Sequence, residues 1–166
     1  IGALRESHDV LVLSGGVSKG KFDFVPAALQ AQGVKEVFYQ VAQRPGRPMW
    51  FGLGPRGQLV FGLPGNPVST LVCLTRYVLP ALQAAMQRLP VAQERVALAT
   101  QLAGRKMTYF MPVKLHPGAS TLPVANAHLP NGSGDFLALA GTDGFVELPP
   151  QAEDYPAGFI TDFYRW

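Results

Sequence analysis

Short apolar runs separated by glycine and proline turns dominate the first 90 residues of the chain. The run over 10–13 is brief and rich in β-branched residues, which predicts a strand buried on both faces. The pattern predicts strands over 9–14, 36–42, 49–53 and 58–62, and helices over 23–32 and 67–88. The fold class predicted for this part is α/β, a three-layer sheet domain with parallel pairing where helices intervene.

Two details of this region can be tested against a structure. Gly54 to Gly57 should close a hairpin between neighbouring strands, and Gly33 should end the helix over 23–32. The sheet-facing side chains of that helix are predicted to be Phe24, Ala27, Ala28 and Ala31.

After Leu89 and Pro90 the pattern changes to short alternating runs. These runs predict strands within 95–102, 108–115, 120–127, 145–148 and 159–163. They are typical of a small all-β domain that forms a partly closed barrel. We therefore predict two domains, over 1–90 and 91–166. The opening residues resemble the tail of a helix, so we expect the first domain to be truncated at its N-terminus.

Composition narrows the classes of function. The 166 residues carry 14 basic and 11 acidic side chains, and no basic stripe with aromatic residues indicates nucleic acid binding. The single cysteine, Cys73, lies among apolar residues and predicts a buried thiol in a reducing compartment, so we expect a cytoplasmic protein. The apolar stretch 68–86 contains Arg76 and Pro80, which favours a buried helix over a membrane span.

A glycine-containing turn follows the first predicted strand. This first loop (residues 14–18) consists of Ser14, Gly15, Gly16, Val17 and Ser18. Glycines permit positive φ and close backbone approach, and hydroxyl and amide groups can converge on a phosphate or oxyanion. An ordinary strand-to-helix turn has the same pattern, because short glycine motifs are weak signals.

Two more loops of similar chemistry also follow strands. The second loop (residues 44–48) reads RPGRP and holds two guanidiniums on a stiff turn. The third loop (residues 62–69) reads GLPGNPVS, in which Asn66 should cap a helix with Pro67 in its first turn. A solvated turn and a plain helix cap are the alternatives. Three such loops after successive strands predict a ligand site at one sheet edge.

These motifs together resemble a known family. The ordered set SGGVSxGxxDF, RPGRP (usually KPGKP) and FGLPGNPVS is similar to the molybdopterin molybdenumtransferases, the molybdenum insertases that include bacterial MoeA and the E domain of gephyrin. The resemblance implies a transferase that inserts molybdate into molybdopterin or adenylylated molybdopterin, with Mg²⁺, as a homodimer. The chain resembles only the last two domains, so we expect it to be inactive alone.

The resemblance also implies roles for particular residues. Asp23 is the expected catalytic residue and magnesium ligand, a role that suits a hard carboxylate oxygen, although a helix-start aspartate stabilised by the dipole is the alternative. The first loop is expected to receive the pterin phosphate. The expected substrate-binding residues elsewhere are Arg44, Gly46, Arg47, Pro48, Pro64, Gly65, Asn66, Pro67, Ser69 and Ser133. Ser133 could equally be the N-cap of a short helix over 135–140.

The chain also departs from the family pattern. Many members carry an arginine on the strand that here spans 108–112, and no arginine lies there. Arg105, Lys106 and Lys114 do not match its register, so we assign that role to none of them. A non-catalytic anion- or pterin-binding module and a scaffold or dimerisation fragment are therefore the alternative functions.

Overall fold

The computed structural model describes residues 1–18, 23–118, 121–129 and 135–166. The chain divides into two compact units, the first formed by residues 1–41 and 46–73, the second by residues 42–45 and 74–166. The domain limits predicted from the sequence, 1–90 and 91–166, stay a prediction.

The first unit is a four-stranded sheet with three helices. Its elements are α1 (Gly2–Ser7), β1 (Val10–Ser14), α2 (Val25–Ala31), β2 (Lys35–Tyr39), β4 (Trp50–Leu53), β5 (Leu59–Leu63) and α3 (Pro67–Cys73), while β3 (Gln43–Arg44) belongs to the second unit. The strand order is β1-β5-β4-β2, with β1 parallel to β5 and β4 antiparallel to both of its neighbours. The predicted α/β class and the hairpin between β4 and β5 are confirmed.

The core of this unit lies under the sheet and is built around Trp50. Trp50 and Leu29 are fully buried, and the indole nitrogen of Trp50 donates a hydrogen bond of 2.8 Å to the Glu36 carboxylate. Gly33 has φ of 77° and ends α2 as predicted. The predicted packing face of α2 is wrong, because Leu29 is its buried residue and Phe24 is 65% exposed. An alanine-rich helix has a weak amphipathic pattern, and the one large aliphatic side chain decides which face is buried.

The second unit is a small barrel. Its further elements are a π-helical turn (Leu74–Val78), α4 (Leu79–Ala85), β6 (Glu94–Leu98), β7 (Thr108–His116), β8 (Val124–Ala127), a 3₁₀ helix (Leu137–Leu139), β9 (Gly144–Leu148) and β10 (Ile160–Arg165). The order β7-β8-β6-β10-β9 closes because β9 also pairs with β7, and β3 adds to β7 in parallel. The barrel predicted from the alternating runs is confirmed.

The single helix predicted over 67–88 is interrupted. Residues 74–78 form a π-helical turn, and Arg76 within it donates a hydrogen bond of 2.9 Å to the carboxylate of Glu147 in β9. By length and composition alone the helical run Pro67–Ala85 could cross a membrane, and 28% of its most apolar window is buried. An arginine paired with a barrel strand favours a helix within the folded protein. That the protein has no membrane partner stays a prediction.

Asp143, the residue before β9, connects the start of that strand to the end of β7. Its carboxylate accepts a hydrogen bond of 2.7 Å from the Leu115 amide and one of 2.9 Å from the Lys114 ammonium. These interactions, the amide bond first, hold the pKa of Asp143 below its ordinary value. The ionised form is therefore favoured in the folded chain.

This pKa difference predicts how stability depends on pH. A carboxylate whose pKa is lowered by folding stabilises the fold above its unfolded pKa, and the contribution is lost as pH falls through the folded pKa. We expect Asp143→Asn to be less stable than the parent chain at neutral pH, and to lose less stability between about pH 5 and pH 2. Urea unfolding at several pH values measures this. Asp162→Asn, whose parent carboxylate lies 3.8 Å from Arg95 at the surface, is the control. Parallel curves of unfolding free energy against pH for Asp143→Asn and the parent chain would contradict this prediction.

Candidate functional site

The first and third loops meet because the strands before them are parallel and in register. Ser14 of β1 is paired with Leu63 of β5, so both strands end at one edge of the sheet. The Gly15 amide donates a hydrogen bond of 2.9 Å to the Leu63 carbonyl, and the Ser14 hydroxyl donates one of 3.2 Å to the Pro64 carbonyl. The hydroxyl of Ser14 thus ties the two loops together.

The conformation of the first loop depends on its glycines. Gly15 and Gly16 have φ of 85° and 71°, a region that residues with a side chain rarely adopt. A Cβ on Gly16 would also lie 2.7 Å from a methyl group of Val25 in α2. Val17 is 1% exposed and packs over Gly62, so its backbone is the part that a ligand could contact.

The third loop ends in a capped helix, as predicted. Asn66 Oδ1 accepts hydrogen bonds from the Ser69 amide at 3.0 Å and from the Ser69 hydroxyl at 3.2 Å, and α3 begins at Pro67. Thr70 donates to the Asn66 carbonyl at 2.9 Å and also to the Pro64 carbonyl. Ser69 is buried, and its hydroxyl is engaged in the cap. Pro64 and Gly65 form the turn that leads into it, and Gly65 lies against Gly15 of the first loop.

The second half of the second loop lies at the same edge. The antiparallel pairing of Trp50 with Gly62 places the start of β4 beside the end of β5. The Val41 amide donates a hydrogen bond of 3.0 Å to the Arg47 carbonyl. Residues 41 and 47 therefore lie close together in the connection that follows β2. Ser18, Gln40, Arg47 and Pro48 together line an open hollow of about 320 Å³. The hollow therefore joins the end of the first loop to Arg47 and Pro48.

The second loop is divided between the two units. Arg44 is the last residue of β3 and belongs to the second unit, whereas Gly46, Arg47 and Pro48 belong to the first. Gly46 has φ of 91°, and its carbonyl accepts a weak hydrogen bond from the buried thiol of Cys73 at 3.7 Å. The buried thiol predicted from the sequence is confirmed.

The remaining predicted site residues are less defined by the structure. Asp23 is half-buried and stands two positions before α2. In the described ranges no three His, Cys, Asp or Glu side chains lie close enough together to hold a metal ion. Ser133 falls outside the described residues, and of the helix predicted over 135–140 the structure has a 3₁₀ helix at Leu137–Leu139.

Two contributors to the site were not recognised in the sequence. Gln40 lines the hollow with φ of 69°, and nothing about a glutamine indicates a left-handed turn. Thr70 braces the third loop, and its position four residues after Asn66 is the only signal that could have indicated this.

The second unit has an electrostatic cluster of its own, formed by Arg76, Glu147 and Tyr164. In the second unit Glu147 accepts hydrogen bonds from Arg76 at 2.9 Å and from the Tyr164 hydroxyl at 2.8 Å, and the guanidinium of Arg76 lies 5.2 Å from the Tyr164 ring centre. Burial, together with the hydrogen bond to Glu147, raises the pKa of Tyr164 well above its ordinary value. This cluster joins the π-helical turn to the barrel.

The fold defines the class as an α/β unit with glycine-containing edge loops, joined in one chain to a five-stranded barrel. Two known families match it. The family described as "Probable molybdopterin binding domain" matches residues 1–84, and "MoeA C-terminal region (domain IV)" matches residues 95–166.

Individual proteins agree with this assignment. A molybdopterin molybdenumtransferase of Synechocystis sp. is 43% identical over 96% of this chain and 39% of its own length. One from Staphylococcus aureus strain Mu50 is 30% identical over 95% of this chain and 38% of its own. The crystal structure of the molybdopterin biosynthesis MoeA protein from Pyrococcus horikosii matches 99% of this chain and 40% of its own, with 28% identity and a TM-score of 0.75.

The fold is also shared more distantly. A molybdenum cofactor biosynthesis protein from Pyrococcus furiosus has a TM-score of 0.72 over 99% of this chain and 51% of its own, at 19% identity. The chain belongs to the molybdopterin molybdenumtransferase family, and it spans about two fifths of the length of the curated relatives that it matches along its whole length.

The cap at the third loop predicts a measurable stability effect. Replacing Asn66 by alanine removes the oxygen that accepts both Ser69 hydrogen bonds. We expect Asn66→Ala to lower the free energy of unfolding by about 1 kcal/mol, and Asn66→Asp to retain most of it. Urea denaturation of the three proteins measures the difference. Equal losses in both variants would show that the amide nitrogen of Asn66, and not its capping oxygen, matters.

Proposed function

We propose that the chain acts in molybdenum cofactor biosynthesis and carries part of a transferase site at which molybdate is inserted into adenylylated molybdopterin. The observation that carries the proposal is the hollow where Ser18 of the first loop meets Arg47 and Pro48 of the second. The relatives are molybdopterin molybdenumtransferases, which supports the same activity.

The chemistry of the hollow suits a small dianion. A guanidinium is always charged and offers a planar set of donors that matches the oxygen atoms of molybdate or phosphate. The hydrogen bond from the Val41 amide to the Arg47 carbonyl holds the backbone of Arg47 in its loop. The positive φ of Gly15 and Gly16 shapes the first loop beside the hollow, where backbone amides could receive a pterin phosphate.

Magnesium is the proposed cofactor. Mg²⁺ usually keeps several waters and is bound by one or two carboxylates together with substrate phosphates. One protein carboxylate, that of the half-buried Asp23, is enough for that mode of binding. The bound ion would supply charge stabilisation for the phosphate groups. Asp23 would hold the ion as its protein ligand.

The remaining parts of the proposal concern the whole protein. We propose that it works as a cytoplasmic homodimer, and that its substrates are molybdopterin or its adenylylated form and molybdate. The buried single thiol fits a reducing compartment. The length of the relatives supports a site that needs segments in addition to this chain.

The role of Asp23 can be tested in a full-length enzyme that carries this sequence. We expect Asp23→Asn to lower the rate of molybdenum insertion by orders of magnitude, because losing a metal ligand removes charge stabilisation of several kcal/mol. Reconstitution of the cofactor with purified protein measures the rate. Asp9→Asn makes the same substitution at an exposed position before β1 and should keep the parent rate. Parent activity in Asp23→Asn would leave Asp23 as a helix-start residue.

The 166-residue chain by itself should insert little or no molybdenum. A partial site lacks some of the groups that stabilise the transition state. Substrate could therefore bind to the chain without reacting at the rate of a complete enzyme. The same reconstitution assay, run with the chain and with a full-length protein at equal concentration, measures this. Comparable rates from the two would show that this chain holds the complete site.

A further inference from the structure

Two residues other than glycine have a positive φ in the part of the chain that the structure describes, Gln40 at 69° and Gln87 at 54°. This backbone conformation is costly for a residue with a side chain, so it needs a reason. Gln87 has one, because it follows the end of α4. The Gln87 amide donates a hydrogen bond of 3.0 Å to the Ala84 carbonyl. The Arg88 amide donates one of 3.0 Å to the Gln83 carbonyl, and a left-handed residue commonly closes a helix in this way.

Gln40 follows the last residue of β2 and closes no helix. Its backbone is held on both sides. The Gln40 amide donates a hydrogen bond of 2.8 Å to the Met49 carbonyl, and the next amide, that of Val41, donates one of 3.0 Å to the Arg47 carbonyl. Glycine adopts a positive φ without cost, as Gly15 does in the first loop. The backbone contacts therefore account for the conformation of residue 40 but not for its long side chain.

The hollow of the first unit gives that side chain a place to act. Gln40 lines the hollow together with Ser18, Arg47 and Pro48, and all four residues belong to the first unit. Gln40 is half-buried. Neither its side-chain amide nor the Arg47 guanidinium has a hydrogen bond or ion pair with another side chain or carbonyl among the described residues. An anion in the hollow would therefore meet a charged donor from Arg47 and a neutral donor from Gln40.

We propose that Gln40 is a substrate-binding residue of this hollow, and that its side-chain amide donates a hydrogen bond to the tetrahedral oxyanion that Arg47 binds. The inference rests on the proposed function for the place and charge of the ligand, and it adds a residue that determines specificity. A neutral amide favours an oxygen atom at one position without adding positive charge to the hollow. The oxyanion is free molybdate or a phosphate group of the substrate, since both present four oxygen acceptors in the same arrangement.

Titration calorimetry of a full-length protein that carries this sequence, with molybdate as the ligand, tests the hydrogen bond. We expect Gln40→Gly to weaken binding by about tenfold, the loss for one hydrogen bond to a charged group. The urea concentration at half-unfolding should stay at or above the parent value, because glycine relieves the left-handed backbone. Gln87→Gly is the matched control, since it removes the same side chain from the same conformation. It should bind molybdate like the parent protein.

A second variant and the salt concentration separate the hydrogen bond from charge. Gln40→Glu keeps the size of the side chain and replaces the donor by a carboxylate, so it should weaken binding more than Gln40→Gly does. That additional loss should shrink as salt is added, because salt screens the repulsion. The loss in Arg47→Gln should shrink likewise, whereas the loss in Gln40→Gly should be the same at low and high salt. Gln40→Glu also keeps the test valid if Gln40→Gly folds poorly.

The outcomes distinguish this inference from the proposed function. Weaker binding in Arg47→Gln, with parent affinity in both Gln40→Gly and Gln40→Glu, would overturn the inference and leave the proposed function standing. Parent affinity in all three variants would overturn both, because neither side chain would then contact the anion. Equal weakening by Gln40→Gly and Gln87→Gly would overturn the inference as an effect of the backbone.

A further titration with inorganic phosphate identifies the source of the oxyanion. A loss in Gln40→Gly for molybdate alone would support free molybdate as the ligand of Gln40. A loss for phosphate alone would support a phosphate group of the substrate, and equal losses for both would support a site for the oxyanion itself. No saturable binding of either ion by the parent protein would overturn the inference and the proposed function together.

Discussion

The in-register parallel pairing of β1 with β5 is the constraint on which the first unit depends. It brings the ends of two strands, separated by about 50 positions in the chain, to one edge of the sheet. Backbone amides that leave paired strands need new acceptors, and here the Gly15 amide finds the carbonyl of Leu63. Without that pairing the glycines of the first loop and the cap of the third loop would be unrelated local features. With this pairing, the first and third loops lie side by side at one edge of the sheet.

Packing beneath this edge sets how closely the loops can approach the sheet. Gly62 leaves space for Val17, since a Cβ at that position would lie 2.7 Å from a Val17 methyl group. Val17 in turn is fully enclosed beside Trp50 in the core. A loop whose central side chain is anchored in this way presents its backbone outward with little freedom, which is the arrangement that reduces the entropic cost of binding an anion. The packing of the core and the position of the loop backbone are therefore coupled through Gly62.

Local signals in the sequence were sufficient for most of the elements but not for their breaks. Alternation and glycine turns predicted the strands and the barrel, and Asn66 followed by Pro67 predicted the start of α3 correctly. The strand expected over 36–42 ends at Tyr39, because Gln40 adopts a left-handed conformation that does not continue a strand. The helix over 67–88 is interrupted where Arg76 pairs with Glu147, 71 positions away. The backbone bridge between Arg105 and Gln151 is likewise a contact that no pattern within either segment indicates.

The short excursion of residues 42–45 into the second unit has a consequence for how this chain can be divided. Neither unit is a continuous stretch, because the chain passes from one to the other after residues 41, 45 and 73. A truncation after residue 73 would keep all of the first unit, yet leave Gln43 and Arg44 without the strand to which their backbone groups are paired. A single cut in the chain therefore cannot yield two complete units. A chimera that replaced the barrel would have to replace residues 42–45 with it. The boundary between the two units is therefore not a single position in the sequence.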